Sequence, residues 1–474
     1  MKGLVDIFSG ENSRKAAVIV PGGSTSSYAA IQEQVECLAV DFEKGQPVAI
    51  VIGNSLEFLV TFLAVTRAGG IAAPLNPAYA EDEFHYYMKD LECRSLVTTP
   101  DSTAAISAAR HLGIPVRQPI ADSTARRTGD LPPPHPDDIA LLLHTSGTTS
   151  RPKAVPLTHA NVMASVQNIV ATYALSSDDV ALLVMPLFHV HGLIGVALAT
   201  LASNGTLVVI PKFSAGRFWP VQHETRATWY SAVPTIHQVL LQRAEEDGAP
   251  HTSFRFIRSS SAALAPAIQH HLETRFGTPV LQAYGMTEAS HQIASTPLPP
   301  GERPAGSVGR GTGLEISIGA GSEVLIRGRS VTSGYLRNPV ANADAFVNGW
   351  FRTGDQGVLN DRGELTLTGR IKEIIKRGGE NISPMEVDAV LLQHPAVAQA
   401  VAFAAPDSKY GEVVHAAVVL RAECDPETLR THCRQHLADF KVPVIIHVTD
   451  QVPRTATGKI QRRHVARVFQ RDES

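Results

Sequence analysis

The sequence predicts an α/β protein: a large N-terminal domain of stacked, mostly parallel sheets with a β-rich subdomain, followed by a small C-terminal α+β domain. Three observations predict it. Apolar runs of strand length alternate with segments of helical spacing through the first three quarters of the chain. From about residue 305 the pattern changes to short strands separated by glycine turns. Beyond residue 384 a compact pattern of helix, strand, strand, helix runs to the last residue, about 100 residues and within the size range of one domain. A chain of 474 residues also exceeds what a single core ordinarily serves.

Each element has its own reason. "PVAIVI" (47–52), "IALLLH" (139–144), "VALLVMPL" (180–187), "TLVVIP" (206–211) and "TPVLQAYG" (278–285) are continuous apolar runs, as strands buried on both faces are. Between them, "SLEFLVTFLAVTRAG" (55–69) and "ANVMASVQNIVATYAL" (160–175) repeat apolar residues at the helical period. Right-handed crossovers between such strands leave ligands beyond their carboxyl ends. "LPPPHPDD" (131–138) is a stiff surface linker inside this region. "LEISIG", "EVLIRG" and "GELTLTGR" carry antiparallel β chemistry.

Composition excludes several function classes. Apolar residues make up 44% and charged residues 18%, as in an ordinary globular protein. A net charge of −3 supplies no electrostatic reason to bind nucleic acid or an anionic membrane. No apolar run reaches the roughly 18 residues of a membrane span. Cys37, Cys93, Cys424 and Cys433 show no metal-ligand spacing and suit reduced thiols. "MKGLVDIFSGENSRK" lacks the apolar core of a signal peptide, and "QRDES" is not a peroxisomal address, so the cytoplasm is the expected compartment.

The chemistry-bearing segments begin with "LLLHTSGTTSRPK", a strand entering a loop of Thr145, Ser146, Gly147, Thr148, Thr149 and Ser150 that ends on Lys153. Glycine allows tight turns, successive hydroxyl and N–H groups surround a polyanion with donors, and lysine adds a point charge. The glycine spacing is not that of the P-loop. "QAYGMTEAS" (282–290) puts Tyr284, Thr287 and Glu288 at a strand's carboxyl end. "WFRTGD" ends a strand on Asp355, suited to accept hydrogen bonds from a ribose diol. "GRIKEIIKRGGENISP" (369–384) joins the two domains, and "PRTATGKIQRR" (453–463) sets Lys459 in a glycine-flanked turn.

In this order and at these separations, the segments resemble the adenylate-forming superfamily of acyl-CoA synthetases, firefly luciferase and peptide-synthetase adenylation domains, over essentially the whole chain. The resemblance implies an acid–thiol ligase. A carboxylate attacks the α-phosphate of MgATP, pyrophosphate leaves, and a thiol, usually coenzyme A, displaces AMP from the acyl-adenylate. It further implies that Thr145, Ser146, Gly147, Thr148, Thr149 and Lys153 cradle the phosphates. Ser261, Ala262, Ala263, Gln282, Ala283, Tyr284 and Gly285 line the adenine. Thr287 sits near the α-phosphate, and Glu288 ligates Mg²⁺. Asp355 holds the ribose with Arg370 beside it, and Lys459 bridges carboxylate and α-phosphate. The domains are 1–371 and 372–474. The small one turns about Lys372 between the half-reactions, bringing Gly378, Gly379 and Glu380 beside the pantetheine.

Within the superfamily, "MPLFHVHG", "TWYSAVPTIHQ", "FIRSSSAALAP" and "MTEASHQIAS" are most similar to oxalyl-CoA synthetases. That resemblance implies an acyl pocket of His189, Ser261 and His291, with His237 either beside them or a satisfied structural residue. A two-carbon dianion needs donors at both ends, because an unpaired buried carboxylate is costly. His189 and His191, two apart, would face one way on a strand, but no third ligand has suitable spacing for a metal. Arg462 and Arg463 read as a solvated basic helix, and Cys424 and Cys433 as inert thiols. Ala154 replaces the glycine usual after the lysine, Gly285 the alanine usual in oxalyl-CoA synthetases, and the region 313–324 is short. Open alternatives are an aromatic or short-chain acid, nitrite, a carrier-protein thiol acceptor, and a catalytically silent AMP-binding protein. The partners expected are a small carboxylate and coenzyme A, with no nucleic acid and no membrane, in a monomer or homodimer.

Overall fold

The computed structural model describes Leu4, Ile7 and residues 13–119, 131–145, 152–247, 252, 254–454 and 460–471. Two large sheets dominate the first 311 residues. One has six strands in the order Val116–Arg117, Ser95–Thr98, Pro47–Val51, Ile71–Pro74, Ile139–Thr145, Lys153–Thr158, parallel except for the last pair. The other has nine. Its interior strands Ala16–Ile19, Thr206–Val209, Val180–Leu183, Trp229–Ala232, Phe256–Ser260 and Val280–Met286 run parallel, with antiparallel pairs at both edges.

Between these sheets lies a layer of helices, and one apolar core takes in all three layers: Ile50 and Leu141 from the first sheet, Leu183 and Leu207 from the second, and Phe62 and Val166 from helices. The helix Leu56–Arg67 is buried at every position from Phe58 to Thr66, as a helix apolar all round must be. Its ends are set locally: the Ser55 side chain accepts from the Phe58 N–H, Glu57 lies in the first turn and Arg67 in the last. The helix His159–Thr172 starts from a capping box between Thr158 and Asn161. Further helices cover the outer face of each sheet.

The β-rich part is a five-stranded antiparallel sheet, with Glu323–Arg327 beside Trp350–Leu359 and the latter beside Leu365–Arg370. It packs through Val324, Ile326 and Phe351 on Tyr284, Ala289 and Ile293 of the nine-stranded sheet's edge. The small domain has its own core around Val387, Val401, Ala416 and Leu429. It holds more than the expected helix, strand, strand, helix. A short hairpin, Ile375–Arg377 with Glu380–Ile382, precedes the helix Pro384–Leu391. A strand Ile445–Val448 runs parallel to Gly411–Leu420, and a third helix, Arg462–Arg471, covers the sheet. Strands of three or four residues leave too little periodicity to read in advance.

Candidate functional site

The polar residues singled out in the large domain collect near the carboxyl ends of Ile139–Thr145, Val280–Met286 and Leu365–Arg370, one strand from each of three sheets; Asp355, expected to end its strand, lies instead in the middle of Trp350–Leu359. The strand Ile139–Thr145 returns as Lys153–Thr158, so Thr145 and Lys153 are register partners. Ser146, Gly147, Thr148 and Thr149 lie outside the described residues. Lys153 Nζ sits 4.4 Å from the centre of the Tyr335 ring, and the Tyr335 hydroxyl donates to Glu288 Oε1 at 3.0 Å. Glu288 belongs to the 3₁₀ turn Thr287–Ala289 directly after the strand Val280–Met286, and is 6% exposed. Burial raises its carboxyl above the ordinary value, while Tyr335, Arg370 and Lys153 work in the other direction. Thr145, Lys153, Thr287 and Glu288 are thus brought into one neighbourhood, with Tyr335 as the link that sequence reasoning missed.

The residues expected at the ribose form a second group. Asp355 and Arg370 are register partners on adjacent antiparallel strands, and Arg370 Nε donates to Asp355 Oδ1 at 2.7 Å. The Tyr284 hydroxyl donates to Asp355 Oδ2 at 2.6 Å. Burial, then the adjacent Asp355 charge, push the Tyr284 phenol well above its usual range; the same carboxylate raises Arg370. The Gln282 side chain is engaged elsewhere, donating to Gln269 Oε1 of the helix Pro266–Phe276 at 2.7 Å. Ala283 is buried, whereas Ala262 and Ala263 are exposed just past the strand Phe256–Ser260.

Of the residues expected at the acid, Ser261 and His291 are joined by a buried polar cluster. Ser261, at a left-handed φ of 71°, lies 3.0 Å through Oγ from His191 Nδ1. His191 Nε2 is 2.7 Å from Ser231 Oγ. Its ring stacks on His291 at 5.1 Å and 22°. Arg258, completely buried, donates from Nη1 to Ser231 Oγ at 3.0 Å. Its Nη2 reaches His291 Nε2 and Gln292 Oε1, each at 2.8 Å, and its Nε reaches the Tyr173 hydroxyl at 2.9 Å. Glycines make the room. A Cβ on Gly195 would lie 2.5 Å from His291 Nε2, and one on Gly285 would lie 1.7 Å from the His291 carbonyl oxygen. A π-helical stretch, Leu193–Leu198, carries Gly195 past the rings, the kind of insertion found at many functional sites.

Two expectations about histidines change. His189 and His191 do not share a strand: His189 caps the short helix Val190–Gly192, its Nδ1 accepting from the His191 N–H at 3.2 Å. Among the described residues no group of three or more His, Cys, Asp or Glu is placed to hold a metal. His237 is completely buried, with Nδ1 3.1 Å from the Tyr230 hydroxyl, and burial lowers it to about 4. Sequence reasoning missed Ser231, Arg258 and Gln292 and left His191 without a role. Arg258 did carry a signal, being a charge inside the apolar run "FRFIRSS".

On the small domain, Gly378 and Gly379 take φ of 58° and 96° at the turn of the hairpin that Glu380 re-enters. Lys372 stands between the last strand of the antiparallel sheet, ending at Arg370, and this hairpin. Lys459 lies outside the described residues. Arg462 corrects the expectation of a solvated helix. Its Nη2 is 2.6 Å from Asp388 Oδ2 and its Nε 3.2 Å from Glu373 Oε2, while Nη1 donates to the Ala402 carbonyl at 2.9 Å. Amphipathic spacing hid this, because the arginine begins a helix whose other face is basic and exposed. The four cysteines are free thiols, and burial pushes Cys433 up to about 11. Among the described residues no helix is long and apolar enough to cross a membrane.

Comparison with known proteins adds the following. Residues 8–336 match the AMP-binding enzyme family and residues 386–459 the AMP-binding enzyme C-terminal domain. A probable CoA ligase of Humulus lupulus is 46% identical, covering 99% of this chain and 96% of its own length. The oxalate–CoA ligase of Arabidopsis thaliana is 44% identical, covering 99% and 98%. Among solved structures, ATP-bound MatB from Rhodopseudomonas palustris superposes with a TM-score of 0.91 at 29% identity, covering 100% of this chain and 99% of its own.

Proposed function

Because the chain belongs to the AMP-binding enzyme family and is an AMP-forming acyl-CoA synthetase, we propose that its acid is small and polar, with oxalate the first candidate. One observation carries the choice of acid: the Ser261–His191–His291 cluster with Arg258 behind it. A pocket for a long hydrocarbon chain gains nothing from such a cluster, since buried polar groups without partners are costly. An acid with charge at both ends makes use of it, each charge-assisted bond being worth roughly 1.5–3 kcal/mol. The relationship to oxalate–CoA ligases supports the same choice.

In this reading Thr145 to Thr149 and Lys153 hold the β- and γ-phosphates, and Asp355 exchanges its contacts with Tyr284 and Arg370 for the ribose diol. Ala262, Ala263, Ala283, Tyr284 and Gly285 border the adenine, whereas Gln282, already paired with Gln269, supports that wall from behind. Ser261, His291 and His189 face the acid, and His237 packs against Tyr230 instead. Lys459 meets the carboxylate and α-phosphate during adenylation; the small domain, starting at 372, then turns to bring Gly378, Gly379 and Glu380 to coenzyme A. A buried carboxylate raised by burial fits a hard cation, and with no larger cluster among the described residues Glu288 would be the main protein ligand of Mg²⁺, other positions falling to phosphate and water. Bound there, Mg²⁺ supplies charge neutralisation for the phosphate oxygens. The free cysteines agree with a cytoplasmic setting.

The test is AMP release from MgATP over oxalate, malonate, acetate, benzoate, coumarate, octanoate and nitrite, each with and without CoA, with Lys459→Ala as control. CoA-dependent turnover strongly favouring oxalate is expected. Preference for an aromatic acid or nitrite removes the oxalate assignment. CoA-independent AMP release points to another acceptor, and ATP binding without pyrophosphate exchange points to a silent binding protein.

A further inference from the structure

Arg258 is an anomaly by ordinary stability rules. It is fully buried in the middle of a parallel strand, and its partners, Tyr173, Ser231, His291 and Gln292, offer hydroxyl, imidazole and amide acceptors. Among the described residues no carboxylate pairs with it. An interior cation without a counter-ion is costly, and departures of this sort concentrate at functional sites.

The guanidinium also sets proton directions, because it only donates. Ser231 Oγ accepts from Arg258 Nη1 and lies 2.7 Å from His191 Nε2, to which it can give its own proton. A neutral His191 that accepts at Nε2 carries its proton on Nδ1 and donates it to Ser261 Oγ. Ser261, having accepted, keeps its hydroxyl proton as a donor. On the second branch His291 Nε2 accepts from Arg258 Nη2, which leaves the His291 proton on Nδ1. A second cation on either imidazole is disfavoured beside the buried guanidinium.

We propose that Arg258, acting through Ser231, His191 and His291, is the positioning residue that makes the acyl pocket select small acids bearing a second anionic group. It turns the Ser261 hydroxyl and both imidazoles into donors, and it holds a buried positive charge that such an acid completes. The inference rests on the acyl-pocket reading above and deepens it.

The experiment compares kcat/KM for oxalate and for acetate in the full-length wild type, Arg258→Gln, Arg258→Lys and Ser231→Ala, alongside ¹⁵N spectra of histidine-labelled wild type. The oxalate-to-acetate ratio is expected to fall about 10- to 100-fold in Arg258→Gln, the range for one hydrogen bond to a charged group. Arg258→Lys, which keeps the charge, restores part of it. Ser231→Ala, which removes one oxygen and leaves Arg258 in place, lowers the ratio less than Arg258→Gln does. His191 and His291 are expected as neutral Nδ1–H tautomers. An unchanged ratio in a folded Arg258→Gln, or an Nε2–H or charged His191, overturns the proposal. Should Arg258→Gln not fold, Ser231→Ala is expected to lower the oxalate-to-acetate ratio several-fold below wild type, and an unchanged ratio there, or the wrong tautomers, overturns the proposal. A wild type that prefers a monocarboxylate removes the oxalate reading alone, because the ratio between variant and wild type is still read. Where oxalate is not turned over, its inhibition constant against the preferred acid takes the place of kcat/KM.

Discussion

Replacing Arg462 with methionine tests the buried ion triad that ties the last helix to the small domain. In the wild type one guanidinium serves Asp388, Glu373 and the Ala402 carbonyl. Methionine fills much of the volume but leaves two carboxylates facing each other without a cation. Burial already raises Asp388, with Glu373 adding to the rise and Arg462 opposing it. Removing one partner of a buried pair costs about 3–5 kcal/mol. Because the arginine is 16% exposed and the acids 20% and 15%, the low end, about 3 kcal/mol, is expected. Urea unfolding of the full chain, followed by a small-domain probe, measures it. The deficit has a pH sign. In the variant Asp388, already raised by burial, loses the arginine that opposes the rise, so stability is retained at acid pH and lost as pH rises through its raised value. The loss therefore grows from pH 4 to pH 7. Adding Asp388→Asn removes the repulsion and should recover more than about 1 kcal/mol. A single-variant cost under about 1 kcal/mol, or strict additivity with Asp388→Asn, refutes the reasoning.

Other outcomes follow from the site. Glu288→Gln abolishes most turnover yet stabilises the apo protein at neutral pH by about 1 kcal/mol, since a raised carboxyl is a charge the fold holds unfavourably; thermal melts of both proteins check it. For the same reason kcat/KM for MgATP in the wild type falls on an acid limb lying above the ordinary carboxylate range, and that limb disappears with Glu288→Gln. Tyr284→Phe removes the 2.6 Å bond to a buried carboxylate and should cost about 1.5–3 kcal/mol in urea unfolding. Gly285→Ala forces a backbone carbonyl away from a Cβ placed 1.7 Å from it. A loss of about 1–3 kcal/mol and a larger drop in kcat/KM for the acid than for ATP are expected, because His291 must move.

Much of this was legible in the sequence. Doubly buried strands are continuous apolar runs, and the helix Leu56–Arg67 announces itself by caps and spacing. Tyr284 and Glu288 could be placed because they lie at and just past the carboxyl end of Val280–Met286, whereas Asp355, expected to end a strand, lies in the middle of Trp350–Leu359. What stayed hidden depends on contacts across the chain. His191, Ser231 and Arg258 come from three segments, and only the parallel pairing of Trp229–Ala232 with Phe256–Ser260 sets Ser231 opposite Arg258. Tyr335 sits in a loop with no motif, and its place between Lys153 and Glu288 follows from docking of the antiparallel sheet. Gly285, where oxalyl-CoA synthetases usually have alanine, was visible, but the approach of the His291 carbonyl to it was not.

The neighbourhood proposed for the nucleotide draws Lys153 from the six-stranded sheet, Glu288 from the end of the nine-stranded sheet, and Asp355 and Arg370 from the antiparallel one. A molecule lodged there is a fastener across three separately hydrogen-bonded units. Its binding free energy is therefore shared by all of them, about 2.7 kcal/mol at a hundredfold excess over Kd. Amide hydrogens in strands far from the phosphates, such as Val48 or Val208, should exchange more slowly with ligand wherever their exchange needs the sheets to part. An enzyme built this way keeps its layers together best while it is working.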